Sequence, residues 1–261
     1  MTPDLKVTII QSDIAWHSID QNLQAFGQKI NSIQESTDII ILPEMFTTGF
    51  SMKASEHAET MDGKSVGWMF TMAAEKNAAV MGSIIIREDS NYYNRLIWVN
   101  PDGSHYIYDK RHLFTMANED KHYSAGNKRL IVNYKGWNIC PMVCYDLRFP
   151  VWSRNVNMEY DLLIYIASWP NQRSYDWNTL LRARAIENQS YVIGVNRVGT
   201  DGNGHEYNGD SCLIDPGWRK TLFHQEKKEI IYTTALSKKH LAVIRSKLPF
   251  SRDADEFEIK R

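Results

Sequence analysis

The sequence predicts an α/β protein with two mixed sheets and helices on the outside. Three observations predict it. Strand-like and helix-like runs alternate early in the chain, at 5–11, 19–35, 38–42, 64–77 and 79–87. Hairpin signals follow, with Asp102-Gly103 between two alternating runs and an Asp215-Pro216-Gly217 turn further on. A composition of 43% hydrophobic and 23% charged residues over 261 residues is that of a globular chain with enough apolar surface for a sizeable core.

The elements read as follows. Leu5 to Gln11 is the first strand, and Ser18 with Gln21 makes a capping box for a helix over 19–35. Asp38 is followed by Ile39, Ile40, Ile41 and Leu42, an aliphatic run that reads as a strand buried on both faces and ended by Pro43. A helix over 64–77 leads to strands at 79–87, 92–99, 105–109, 129–133 and 137–143. Pro141 lies inside the last of these and cannot donate to a ladder, so it marks a bulge or a locally unpaired position. Pro150 suits the first turn of a helix over 150–157, where a missing N–H costs nothing. A strand at 161–166 precedes a helix over 175–189, in which Trp177, Leu180, Leu181, Arg184 and Glu187 recur at helical spacing. Strands at 191–197, 211–214, 220–224 and 229–234 and a helix over 236–245 complete the pattern. No linker-like stretch or charge run divides the chain, so residues 1–261 read as one domain.

A formal net charge of −1 gives no basic field to draw in phosphates, which argues against a nucleic-acid or anionic-membrane partner. The start, Met1 to Lys6, lacks a basic segment leading into a long apolar stretch, and no run approaches the roughly 18 apolar residues of a membrane span. Three cysteines suit no disulfide framework. Cys140 and Cys144, four apart on a predicted strand, would stand about 13 Å apart, beyond the roughly 7 Å a disulfide tolerates. The expectation is a cytoplasmic protein with reduced thiols. The histidines form no metal-ligand pair, so His112 and His122 read as loop or hydrogen-bonding residues, and neither metal nor cofactor is expected.

Three polar residues stand at strand ends. Cys144 follows the apolar run Trp137 to Val143, where backbone N–H groups and a helix start favour negative charge on sulfur or a nearby oxyanion. Taken alone it also fits a small buried residue. Glu44 follows the doubly buried strand, where an acid can equally cap the next turn. Lys110 ends the run Tyr106 to Asp109, although the usual fate of lysine is a solvated surface.

LPEMF around Glu44, YDKRHLF around Lys110 and CYDLRFP around Cys144 resemble, in order and separation, the three catalytic blocks of the nitrilase (carbon–nitrogen hydrolase) superfamily. The likeness spans nearly the whole chain. SWPNQR (168–173) and RARAIENQSYV (182–192) are most similar to the bacterial omega-amidase group. The resemblance implies a four-layer α-β-β-α sandwich, paired as a homodimer. It also implies a cysteine amidase that releases ammonia from small 2-oxo acid monoamides such as 2-oxoglutaramate, through a thioester. N-carbamoyl amino acid hydrolysis and deaminated-glutathione hydrolysis are the alternatives within the superfamily. Cys144 would be the nucleophile and Glu44 its base, with Lys110 and the backbone N–H of Tyr145 holding the oxyanion. Glu119, seven residues before Gly126, would bond Lys110 or place the substrate nitrogen; it also fits a solvated loop acid beside Asp120. A substrate carboxylate would need an arginine. Arg173 and Arg148 are the candidates, each with an alternative as a loop brace to Asp176 or Asp146. Phe46 and Trp169 would supply apolar walls or simply pack in the core.

Overall fold

The computed structural model describes residues 3–217 and 220–259. In chain order the elements are β1 (Leu5–Gln11), α1 (Ile19–Asn31), β2 (Ile39–Ile41), α2 (Ala54–His57), α3 (Lys64–Lys76), β3 (Ala79–Glu88), β4 (Asn91–Val99), β5 (His105–Asp109) and α4 (Glu119–His122). Next come β6 (Val132–Tyr134), β7 (Trp137–Val143), α5 (Pro150–Ser153), β8 (Leu162–Ala167), α6 (Ser174–Asn188), β9 (Tyr191–Asn196) and β10 (Val198–Thr200). The chain closes with β11 (Glu206–Ile214), β12 (Thr221–Glu226), β13 (Ile230–Leu236) and α7 (Lys238–Lys247).

One sheet runs β13-β1-β2-β3-β4-β5, with β1, β2 and β3 parallel and the flanking strands antiparallel. The other runs β10-β11-β9-β8-β7-β6, parallel at β7, β8 and β9, with β12 also paired to β11. Side-chain alternation assembles the layers. Leu5, Val7, Ile9, Ile39, Ile41, Leu96 and Trp98 share a core with the second sheet, while Ile10, Ile40, Leu42, Val80, Ile97 and Val99 pack with α1 and α3. Both faces of β2 are therefore buried, which is why its sequence is continuously aliphatic. Trp177, Leu181 and Ala185 of α6 cover the far side of the second sheet against β9 and β11. This is a four-layer α-β-β-α sandwich. Among the described residues no helix is long and apolar enough to cross a membrane.

Pro141 sits in register opposite Ile164 of β8, two residues beyond Ile139, the last β7 residue paired to β6. On that side it has no strand partner, so its missing donor breaks no ladder. Several boundaries differ from the sequence reading. The first helix stops at Asn31, and Ser18 makes no capping bond. Asn22 closes the entry instead, accepting from the Ala15 N–H at 2.8 Å and donating to the Ala15 and Thr47 carbonyls. The helix at Pro150 is a single turn ending at Ser153, and the strand expected at 129–133 shrinks to Val132–Tyr134. Conversely β11 begins at Glu206, five residues before its expected start. Tyr207 and Gly209 within it, among polar neighbours, hid the alternation.

What positions the site is the end at which these strands finish. Glu44 lies three residues past β2, Cys144 directly follows β7 and Ser168 directly follows β8. The carboxyl ends of parallel strands from both sheets meet there, with the Ser168 N–H donating to Glu44 Oε2 at 2.8 Å.

Candidate active site

Cys144 leaves β7 with φ +46°, a left-handed conformation rare outside glycine, and Met45, just past Glu44, has φ +43°. Such strain persists only where surroundings over-determine it. At Cys144 the determinant is Asp146. This buried carboxylate accepts the Val143 N–H (3.1 Å) and the Tyr108 hydroxyl (2.7 Å) on one oxygen. The other oxygen faces the His112 N–H (3.0 Å) and Nδ1 (2.8 Å). Met45 is anchored by its N–H donating to Ser83 Oγ at 2.8 Å.

Lys110 lies between two glutamates. Its Nζ donates to Glu44 Oε1 at 2.9 Å and to Glu119 Oε1 and Oε2 at 3.0 and 2.9 Å, and all three side chains are fully shielded from solvent. Glu119 is fixed from behind by the Phe114 N–H at 2.6 Å. Burial alone would lower the Lys110 pKa, but Glu119 and Glu44 overwhelm it and hold the ammonium well above its usual range. Burial raises the Glu119 carboxyl, with Lys110 opposing and Glu44 reinforcing. The Cys144 thiol is also pushed up, first by burial and then by the Glu44 carboxylate, against Lys110. At rest it is a thiol, and it needs a base beside it to become a nucleophile. Gly126 closes this region: a Cβ there would come within 2.1 Å of the Asp109 carbonyl, beside Lys110.

A cavity of about 170 Å³ opens onto Cys144, Lys110, Tyr145 and Ser168, with Phe50, Phe114 and Trp169 as apolar walls. Glu44 and Glu119 sit behind this surface, reached through Lys110. The Tyr145 N–H lies in the first turn of the helical segment Cys144–Arg148, ahead of any intrahelical acceptor. Trp169 lines the cavity, its Nε1 donating to the Arg173 carbonyl at 2.8 Å. Arg148 and Arg173 both line it too. Arg148 is 2.6 Å from Asp176 and stacks over Trp169, whereas Arg173 lies over the Phe114 ring with no carboxylate partner among the described residues. Phe46 is a correction. Its ring packs on Phe26 and Trp68 in the layer beneath α1 and α3, because the chain turns after Glu44 and points residue 46 away from the cavity. Cys140 and Cys212 are buried in the core, where burial lifts both thiols to about 12.

Sequence reasoning missed Asp146, Asn94 and the hairpin between β10 and β11. Asp201, Asn203, His205 and Tyr207 of that hairpin line the cavity. The Asp201 carboxylate organises them, accepting the Asn203 and His205 N–H groups and the Tyr207 hydroxyl. Gly202-Asn203-Gly204 was the available signal.

A thiol on a cavity wall, a carboxylate behind it, and an ammonium and a helix-start N–H beside it are what acyl transfer from an amide requires. Fold and site together define a hydrolase of amide carbon–nitrogen bonds. The model of the carbon-nitrogen hydrolase family matches residues 6–242, and the chain belongs to that family, in its omega-amidase group. It is 47% identical to the omega-amidase YafV of Escherichia coli K12 over 257 residues, covering 98% of this chain and 99% of that one. It is 30% identical to a 2-oxoglutaramate amidase of Bacillus subtilis 168, covering 95% and 96%. A solved CN-hydrolase superfamily protein of Xanthomonas campestris, with an arsenic adduct in its active site, superposes with TM-score 0.97 at 43% identity, covering 99% and 100%.

Proposed function

We propose that the chain hydrolyses the distal amide of small 2-oxo acid monoamides, such as 2-oxoglutaramate, through a thioester on Cys144. The observation that carries this is Cys144 and Lys110 facing one cavity with Glu44 hydrogen-bonded behind them. Glu44 takes the thiol proton as Sγ bonds to the amide carbon. The carbonyl oxygen becomes an oxyanion held by the Lys110 ammonium and the Tyr145 N–H. Glu44 returns the proton to nitrogen, the carbon–nitrogen bond breaks, and ammonia leaves a thioester. Glu44 then deprotonates water, which attacks the thioester and releases the acid and the regenerated thiol. Glu119 keeps Lys110 charged and in place. Two relatives named omega-amidase and 2-oxoglutaramate amidase support the substrate class, and Arg173, which has no carboxylate partner among the described residues, supports a carboxylate at the far end.

A homodimer belongs to the same proposal, supported by Val151 of α5 and Tyr175 and Ile186 of α6, apolar side chains left exposed. Ammonia release across oxo-acid amides and carbamoyl amino acids tests the substrate class. Preference for a carbamoyl amino acid would sink it. Mass spectrometry of quenched turnover should find the acyl adduct on Cys144, and a folded Cys144→Ala variant should release no ammonia.

A further inference from the structure

We infer that Asn94 is a positioning residue that holds the Glu44 carboxylate ready to accept a proton, an inference that rests on the Glu44–Cys144 reading above. Asn94 is completely buried on β4, in phase with Leu96 and Trp98, which face the second sheet. An aliphatic residue is what that position ordinarily takes, and an amide there costs free energy unless its groups are used. Its groups are spent on the site. Nδ2 donates to Glu44 Oε1 at 2.7 Å and reaches Glu119 Oε1 at 3.4 Å, while its backbone carbonyl accepts the Lys110 N–H at 3.0 Å. One residue therefore touches both carboxylates and the lysine.

The amide orientation is fixed by this. Turned over, Oδ1 would face carboxylate oxygens, acceptor against acceptor. In the orientation present, Oδ1 finds no donor among the described residues. The side chain leaves its own acceptor unsatisfied in order to serve Glu44.

The chemical consequence follows from charge. Two carboxylates share one ammonium. Asn94 on Oε1 and the Ser168 N–H on Oε2 supply further stabilisation of the ionised form without adding a charge. A second cation would trap both glutamates as ions; an apolar residue would favour a protonated, idle Glu44. The titratable groups facing Glu44 are Lys110, Glu119, Cys144, Tyr123 and Tyr207. Only Lys110 among them offers it a positive charge at neutral pH.

The test compares wild type, Asn94→Leu, Asn94→Ser and Cys144→Ala, each checked by thermal melting, with kcat and KM measured against pH. Asn94→Leu removes the donor while keeping the branched outline of the side chain at a larger volume, and the smaller Asn94→Ser serves if the leucine variant does not fold. The expected result is a fall of about tenfold in kcat at nearly unchanged KM, with the acid limb of kcat/KM moved to higher pH by about one unit. A merely structural residue would lower the melting temperature and leave that limb in place. An unmoved limb in a folded Asn94 variant, with Cys144→Ala inactive, overturns the role of Asn94 alone. Ammonia release by Cys144→Ala overturns the mechanistic reading and this inference with it.

Discussion

Asp146 and His112 are joined twice: one carboxylate oxygen lies 3.0 Å from the backbone nitrogen of His112 and 2.8 Å from its ring Nδ1. The bond matters because of what each residue adjoins. Asp146 is two residues past Cys144 and His112 two past Lys110, so the pair sets the spacing between sulfur and ammonium. Tyr108 extends the brace, accepting from Trp152 Nε1 at 3.0 Å while donating to Asp146.

Replacing Asp146 by alanine would strand buried donors from Val143, Tyr108 and His112. Unsatisfied buried groups cost about 1–3 kcal/mol each, so a loss of about 3 kcal/mol or more in stability is expected, with kcat falling as the left-handed turn relaxes. Urea denaturation and steady-state kinetics on one preparation check both. Wild-type values for the two together would remove Asp146 from this role.

Lys110→Met is expected to lower kcat by about 10²–10³, the usual loss of an oxyanion donor. It also strips two buried carboxylates of their cation, which typically destabilises by about 3–5 kcal/mol. Acid should repair the stability without the activity, since each proton taken up by a glutamate removes one of the two uncompensated charges. Denaturation at pH 7 and pH 5 reads this out. A variant no less stable at pH 7 than at pH 5 would contradict the picture.

Glu119 gives a pH dependence whose sign can be worked out. Its folded carboxyl is raised, by burial first, then by Glu44 against Lys110. Over the window from the ordinary glutamate value up to that raised one, the folded state holds a proton the unfolded chain has lost. This stabilising contribution is therefore present at low pH and disappears as pH rises through the window. Glu119→Gln cannot titrate, so its stability should fall less than that of wild type between about pH 4 and 7. Parallel urea midpoints over that range would refute the assignment. Activity should drop independently, because Lys110 loses a charged partner.

Much of this was readable in the linear chain, for a physical reason. Ile39 to Leu42 announces a strand buried on both faces with Glu44 just past its end, and Cys144 follows the apolar run of β7. Lys110, however, follows the largely exposed edge strand β5, and it is the resemblance of the three blocks to the superfamily that singles out the trio. The residues missed are those whose meaning depends on pairing across the fold. Asn94 reads as an ordinary polar position in a strand until β3 and β4 are aligned and its face becomes the core. Asp146 looks like a turn acid until Tyr108 and His112 arrive from 34 to 38 positions away. Phe46 was misplaced because alternation is a poor guide past Pro43, where Met45 reverses the backbone direction.

The two cavity arginines separate cleanly by partner. Arg148 is held 2.6 Å from Asp176 and against Trp169, so its charge is already spent on the loop. Among the described residues the Arg173 guanidinium has the Phe114 face beneath it and no carboxylate partner, leaving its fork open to a carboxylate. Arg173→Ala is therefore expected to raise KM about tenfold or more for carboxylate-bearing amides and to leave short neutral amides nearly untouched. Arg173→Lys should recover part of the loss, since a point charge replaces a bidentate fork. Arg148→Ala should instead weaken turnover of both substrate classes, by loosening Trp169 and the segment that carries Ser168. The decisive measurement is the ratio of kcat/KM between 2-oxoglutaramate and a neutral amide of similar length. If Arg173→Ala leaves that ratio unchanged while lowering both terms, the carboxylate is bound elsewhere in the cavity.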